Sequence, residues 1–220
     1  MKRRIYVSPS ILSADFLRLG EEIKSIEANG ADYLHFDVMD GHFVPNISFG
    51  LPVLKNVKGS HGLVNDVHIM ISNPKFYAER FVKTGADILT FHLEACENEQ
   101  EVREIINIIH QNGAKAGLSI KPKTDVKDCL KYLDQLDLLL VMSVEPGFGG
   151  QAFMPSALEK IRVLREYIDS HKLNCLIEVD GGINQETGDL CKEAGVDILV
   201  AGSYLFGVAD QKERIEGLKK

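Results

Sequence analysis

Short unbroken apolar runs alternate along this chain with longer stretches in which apolar residues return every third or fourth position. This is the pattern of buried strands alternating with amphipathic helices. Four segments echo one another: "NGADYLHFD" from Asn29, "TGADILTFH" from Thr84, "NGAKAGLSI" from Asn112 and "AGVDILVAG" from Ala194. Their glycines, Gly30, Gly85, Gly113 and Gly195, fall near integer multiples of a unit of about 27.5 residues, long enough for one supersecondary unit. Eight such units fill the 220 residues. Each echo reads as a helix end, a glycine suited to the left-handed residue that stops a helix, and then a strand.

The stretches "ADFLRLGEEIKSIEA", "PKFYAERFVKT", "EQEVREIINIIHQN", "PSALEKIRVLREYIDS" and "NQETGDLCKEA" carry helical periodicity, and "DQKERIEGLKK" reads as a solvated last helix. Strands in "IYVSPS", "LVNDVHIMI", "LDLLLVMSV" and "LIEVDG" occupy the remaining slots. Eight βα units joined by right-handed crossovers close most simply into a single (β/α)8 TIM barrel spanning 1–220; a doubly wound open sheet is the alternative. In such barrels chemistry sits at the C-terminal strand ends, where His35, Asp37, His68, His92, Asp180 and Ser203 all fall.

Alternation along a strand puts His35 and Asp37 on one face, Asp66, His68 and Met70 on one face, and Glu178 and Asp180 on one face. Two imidazoles and two carboxylates can therefore meet at the mouth. Taken singly, each such histidine reads more simply as a hydrogen-bonded structural residue and each aspartate as a turn cap. Together they need a partner, because buried charges are costly unless paired or coordinated. The set suits one divalent ion such as Zn(II), Fe(II), Co(II) or Mn(II), better than calcium.

Glycine clusters follow the sixth, seventh and eighth strands: "VEPGFGGQAF", "EVDGGIN" and "VAGSYLFG" offer Gly147, Gly149, Gly150, Gly181, Gly182, Gly202 and Ser203. Small residues let main-chain N–H groups approach an anion, and late loops of this barrel form phosphate sites, so a phosphorylated substrate is expected. A net charge of −7 argues against a broad grip on nucleic acid or anionic lipid. No apolar run reaches the roughly 20 residues of a membrane span, and Pro9 and Asp15 break up the start, so a cytoplasmic protein is expected. Cys96, Cys129, Cys175 and Cys191 lie far apart and read as buried free thiols. Met39, Met70 and Met142 read as core residues that could line the mouth. His92 and Glu94 are either tuning groups or a structural pair, and Lys121 and Lys123, beside Pro122, read as turn residues rather than Schiff-base amines.

The runs "SPSILSADF", "HFDVMDGHFVPNISFG", "DVHIMI", "FHLEA", "VMSVEPGFGGQAF" and "EVDGGI", long and in order from Ser8 to Ser203, resemble the ribulose-phosphate 3-epimerase family. The resemblance implies metal ligation by His35, Asp37, His68 and Asp180, with Asp37 and Asp180 as the acid/base pair. Substrate would touch Ser10, His68, Gly147, Phe148, Gly149, Gly150, Asp180, Gly181, Gly182, Gly202 and Ser203. It also implies a homo-oligomer and epimerisation of a phosphorylated ketose at carbon 3, with ribulose 5-phosphate ahead of allulose 6-phosphate. Tyr204 departs from the smaller residue common after that serine. A lysine-dependent decarboxylase or aldolase and a non-catalytic sugar-phosphate sensor are the rival classes. The loop "DGHFVPNISFG" is expected to cover the mouth or to meet a neighbouring subunit.

Overall fold

In the computed structural model, which describes residues 3–220, strands and helices alternate in chain order. They are β1 (Tyr6–Pro9), α1 (Leu19–Ala28), β2 (Tyr33–Met39), α2 (Leu51–Val57), β3 (Val64–Met70), α3 (Pro74–Thr84), β4 (Ile88–His92) and α4 (Glu99–Gln111). β5 (Lys115–Ile120), α5 (Lys127–Leu130), β6 (Leu138–Met142), α6 (Ser156–His171), β7 (Leu176–Asp180), α7 (Gln185–Ala194), β8 (Ile198–Ala201) and α8 (Gln211–Lys219) complete the order. All neighbouring strands pair in parallel, in the order β1-β8-β7-β6-β5-β4-β3-β2, and the seam between β1 and β2 carries the bridge Ser10–His35. This is a (β/α)8 barrel, and the open-sheet alternative falls.

Three helical segments differ from the periodicity. The stretch after β1 begins with two short 3₁₀ turns, because the Ser10 and Asp15 side chains accept the Leu12 and Leu17 N–H groups and delay the helix to Leu19. Helices α2 and α5 span only Leu51–Val57 and Lys127–Leu130, too short to display a 3.6-residue period, and the pattern does not flag them.

Side-chain alternation divides each strand between two environments. Leu34, Phe36 and Val38 join the large core between sheet and helices, as do Val67, Ile69, Ile177 and Val179. The opposite faces fill the lumen, with Tyr33, Ile88, Leu138, Leu140 and Ile198 forming its apolar cluster. Above it, toward the C-terminal strand ends, the lumen turns polar: His35, Asp66, His68, Thr90, His92 and Glu178 are all fully buried.

The opposite end of the barrel carries a repeated stitch. Asp32, Asp87, Asp137 and Asp197 each stand immediately before an even-numbered strand, and each accepts one backbone N–H of the preceding odd-numbered strand. The donors are Val7 at 3.0 Å, Asn65 at 2.8 Å, Ala116 at 2.9 Å and Ile177 at 2.8 Å. Each aspartate returns its own N–H to the carbonyl of the same residue. Each carboxylate thus satisfies a strand-end donor that would otherwise lack a partner and pins the register of two strands.

Cys129, Cys175 and Cys191 are buried free thiols, whereas Cys96 is partly exposed; burial pushes the Cys129 thiol up to about 12. Among the described residues no helix is long and apolar enough to cross a membrane.

The stitches predict a graded response. Replacing Asp197 by Ala orphans the buried Ile177 N–H and removes the carboxylate paired with Arg165, at a cost of about 1–3 kcal/mol. The same change at Asp137 costs less, because that side chain is 38% exposed against 7% for Asp197 and water can replace it. Urea denaturation of the two variants measures the difference.

Candidate active site

The site is assembled from strand ends. Asp37 on β2 and Asp180 on β7 face a cavity of about 710 Å³, which Ser10, Met39, Met70 and Met142 also line. The glycine loops form its other half: Gly147, Phe148, Gly149, Gly150, Gly181, Gly182, Gly202 and Ser203 all reach this cavity, with Tyr204 beside them. His35 and His68 lie just below its floor, with no exposed surface. All the residues expected to form the site therefore converge on one place. Met39 and Met70 also form a small apolar cluster with Val44.

Around Asp37 the geometry is tight. Its Oδ1 is 3.4 Å from His35 Nε2 and 3.3 Å from His68 Nδ1, and the Ser10 hydroxyl donates to its Oδ2 at 2.5 Å. Asp180 Oδ2 lies 4.0 Å from His68 Nδ1. Ligand atoms of these four residues all fall within 4.8 Å of one another. His35 Nε2 is buried without a hydrogen-bond partner, and this ring nitrogen and the carboxylate oxygens converge on one point. Two nitrogens and two oxygens form a donor set suited to a borderline dication, and tetrahedral bonds of about 2.1 Å would place donors about 3.4 Å apart. The spacings around Asp37 Oδ1 match that edge, so the residues present fit such an ion.

Environment drives the two carboxyls apart. Burial works against a charged Asp37, yet the positive His35 beside it and the hydrogen bond to His68 outweigh it and hold the group well below the usual carboxylate range. Asp180 lacks such donors; burial, reinforced by the Asp37 charge, pushes it up to about 7. Burial also depresses His68 and takes His92 down to about 4, so both rings are neutral near pH 7. His35 moves the other way: burial lowers it, but the Asp66 and Asp37 charges prevail.

Beneath this rim lies a second polar layer that motif reading did not assign. Asp66 Oδ2 lies 2.6 Å from His35 Nδ1 and accepts the Ser8 hydroxyl at 2.9 Å; Glu178 Oε1 lies 4.0 Å from the same ring nitrogen. Burial and the Asp66 charge hold Glu178 well above the usual carboxyl range. The available signal was spacing alone: Ser8, Asp66 and Glu178 each precede a rim residue by two, and so share its face. His92 belongs to the site as well, with Nε2 at 2.8 Å from His68 Nε2. Lys121 and Lys123 do not reach the reacting centre; the Lys121 ammonium lies 3.8 Å above the Phe43 ring.

The loop after β2 crosses the mouth. Ser48 donates to the Asp37 carbonyl at 2.5 Å, Asn46 Nδ2 donates to the Gly147 carbonyl at 2.8 Å, and Phe43 lies 4.9 Å from the His92 ring. Asp40 anchors the loop, accepting N–H groups from His42, Phe43 and Ser72.

A (β/α)8 barrel with buried acid–imidazole chemistry below a glycine-lined cavity defines an enzyme. The match to the Ribulose-phosphate 3 epimerase family extends over residues 6–206. Ribulose-phosphate 3-epimerase of Bacillus subtilis (strain 168) is 48% identical over 216 residues, covering 98% of each chain. The protein of that name from Mycobacterium bovis is 47% identical over 214 residues, 97% of this chain and 91% of its own. This chain belongs to the ribulose-phosphate 3-epimerase family. Among solved structures, a 3-hexulose-6-phosphate synthase superposes with a TM-score of 0.70 at 16% identity over 98% of both chains. A Vibrio cholerae 3-keto-L-gulonate-6-phosphate decarboxylase does so with 0.73 at 12% identity, over 98% of this chain and 95% of its own. At those identities the likeness concerns the fold.

The anchor of the mouth loop is testable by pH. Burial raises the Asp40 carboxyl, but its backbone donors prevail and bring it down to about 2, below the usual 3.8. A depressed carboxyl stabilises above its unfolded value and loses that contribution as pH falls through the folded one. The loss of thermal stability in Asp40→Ala is therefore full above about pH 4 and shrinks toward pH 2, as calorimetry of both proteins across that range would record.

Proposed function

We propose that this chain is a cytoplasmic enzyme of the pentose phosphate pathway that interconverts D-ribulose 5-phosphate and D-xylulose 5-phosphate by two-base proton transfer at carbon 3. The observation that carries the reading is the meeting of Asp37 and Asp180, from strands on different sides of the barrel, at one cavity with their proton affinities driven apart. Two carboxyl groups whose surroundings separate them in this way supply one base and one acid.

Inversion requires removing the proton beside the ketone and returning one to the opposite face. Asp37, held ionised by the imidazoles around it, takes the proton from one face. Asp180, from β7, delivers one to the other. In the reverse direction the roles exchange. Between the two transfers the sugar is an enediolate, whose charge needs a site closed to water. The Phe43–Ser48 segment and the cluster of Met39, Met70 and Val44 exclude water on that side. His35, Asp37, His68 and Asp180 would hold one divalent ion, Zn(II), Fe(II), Co(II) or Mn(II), which when bound supplies Lewis-acid stabilisation of enediolate charge.

The glycine loops would take the phosphate. Gly182 has φ of +64° and a Cβ there would lie 2.5 Å from the Phe153 backbone nitrogen, so the loops after β6 and β7 pack main chain against main chain. Ser10 and Ser203 would add hydroxyl contacts, and Phe148, 54% exposed, would close the outer edge. A homo-oligomer is part of this reading, and Ile47, Phe76 and Tyr77, exposed beside the mouth loop, suit a subunit contact.

Incubation of the metal-loaded protein with ribulose 5-phosphate in deuterated water is expected to yield xylulose 5-phosphate carrying deuterium at carbon 3, with allulose 6-phosphate turned over more slowly. Binding without exchange would instead make the chain a sensor. Asp37→Asn and Asp180→Asn should each lower kcat by roughly 10²–10⁴-fold; a normal rate in either variant rejects the two-base assignment. Dialysis against a chelator should abolish turnover and added Co(II) or Zn(II) should restore it.

A further inference from the structure

The two imidazoles at the rim present opposite ring nitrogens to Asp37, His35 its Nε2 and His68 its Nδ1. The groups behind each ring explain how both can do so. His68 Nε2 faces His92 Nε2 at 2.8 Å, an arrangement in which one nitrogen must donate and the other accept. The far side of His92 decides the direction. Its Nδ1 lies 3.1 Å from Glu94 Oε2, and the other carboxylate oxygen of Glu94 accepts the Lys121 N–H at 2.7 Å together with the Thr124 hydroxyl.

Glu94 is held as a carboxylate by the two donors on Oε1, and a bare His92 Nδ1 would set a lone pair against its Oε2. His92 therefore carries its hydrogen on Nδ1, its Nε2 accepts, and His68 must donate from Nε2. With a cation at the rim to take over the charge of Asp37, whose Oδ1 is 3.3 Å from Nδ1, His68 then offers the Nδ1 lone pair. Behind His35 the connection is shorter: Asp66, itself held by the Ser8 hydroxyl, accepts from Nδ1, so Nε2 is the nitrogen left to give up its hydrogen to a cation. A divalent ion at the rim would then meet one lone pair from each ring beside Asp37 Oδ1.

We propose that Glu94, acting through His92, is a positioning residue that sets the tautomer of His68, as Asp66 sets that of His35, so that the two rings offer Nδ1 and Nε2 to one divalent ion. The inference rests on the metal-site reading above but not on the identity of the sugar. Neither His92 nor Glu94 touches the four residues' shared centre except through His68. Outer carboxylates and imidazoles of this kind orient ligands and raise their basicity.

The test uses the purified full chain, with ring-nitrogen NMR of the Zn(II)-loaded protein and Co(II) titration of the metal-stripped protein against a chromophoric chelator. The expected spectrum has a protonated Nε2 and a bare Nδ1 for His68, with the hydrogen on Nδ1 for His92. Glu94→Gln and His92→Phe should weaken Co(II) binding by about 10–100-fold and mix or reverse the His68 tautomer, whereas Glu94→Asp, which keeps the charge, should recover part of the affinity. A merely structural role for the pair would lower the melting temperature of these variants while leaving Co(II) affinity and the His68 tautomer as in the parent, and that result overturns the proposal. So does a parent protein whose His68 carries its hydrogen on Nδ1. A chain that shows the expected tautomers and binds Co(II) but fails to epimerise would refute the functional reading alone. One that epimerises with the opposite His68 tautomer would refute this inference alone.

Discussion

Strand register is the constraint on which the site depends. In a parallel barrel a slip of one residue would turn every rim side chain from the lumen into the helix layer. Asp32, Asp87, Asp137 and Asp197 guard against it at the N-terminal end, each binding the two strands beside it through a side-chain acceptor and a backbone donor. With the lower ends pinned, His35 and Asp37 on β2 stand beside Asp66 and His68 on β3, and Met142 on β6 stands beside Asp180 on β7. The chemistry at one end of the barrel is thus aligned by carboxylates at the other.

Pinning the register also places several ionisable groups inside a closed cylinder, where each must be compensated. The barrel does this in layers. Glu178 is pushed toward its neutral form beneath a charged Asp66, Asp66 is answered by Ser8 and His35, and Asp37 by both imidazoles and Ser10. Asp180 is left without a comparable set of donors, and it is the carboxyl whose proton affinity rises. The difference between the two rim acids therefore arises from what surrounds them, since both are aspartates at the same barrel end.

The loop from Asp40 to Gly50 links this electrostatic floor to the glycine loops. It is tied to β2 through Ser48, to the end of β3 through Asp40 and Ser72, and to the loop after β6 through Asn46 and Gly147. The apolar residues of this segment, Phe43 and Val44, pack beside Met39 and Met70, which gives the mouth a dry wall next to its charged one.

Periodicity by itself determined the βα unit, its eightfold repetition and the faces on which His35, Asp37, His68 and Asp180 lie, because hydrophobic alternation and helix-stopping glycines are properties of neighbouring residues. Tertiary structure decided what depends on distance between strands. The aspartates inside the echoes are visible in "NGADYLHFD" and "AGVDILVAG", yet only pairing with the preceding strand shows what they hold. His92 and Glu94 could not be told from a local structural pair until β4 was set beside β3 and their ring and carboxylate met His68, and α2 and α5 were too short for their pattern to register. Local sequence encodes direction and period; only closure of the barrel brings buried charges close enough to choose one another's protonation.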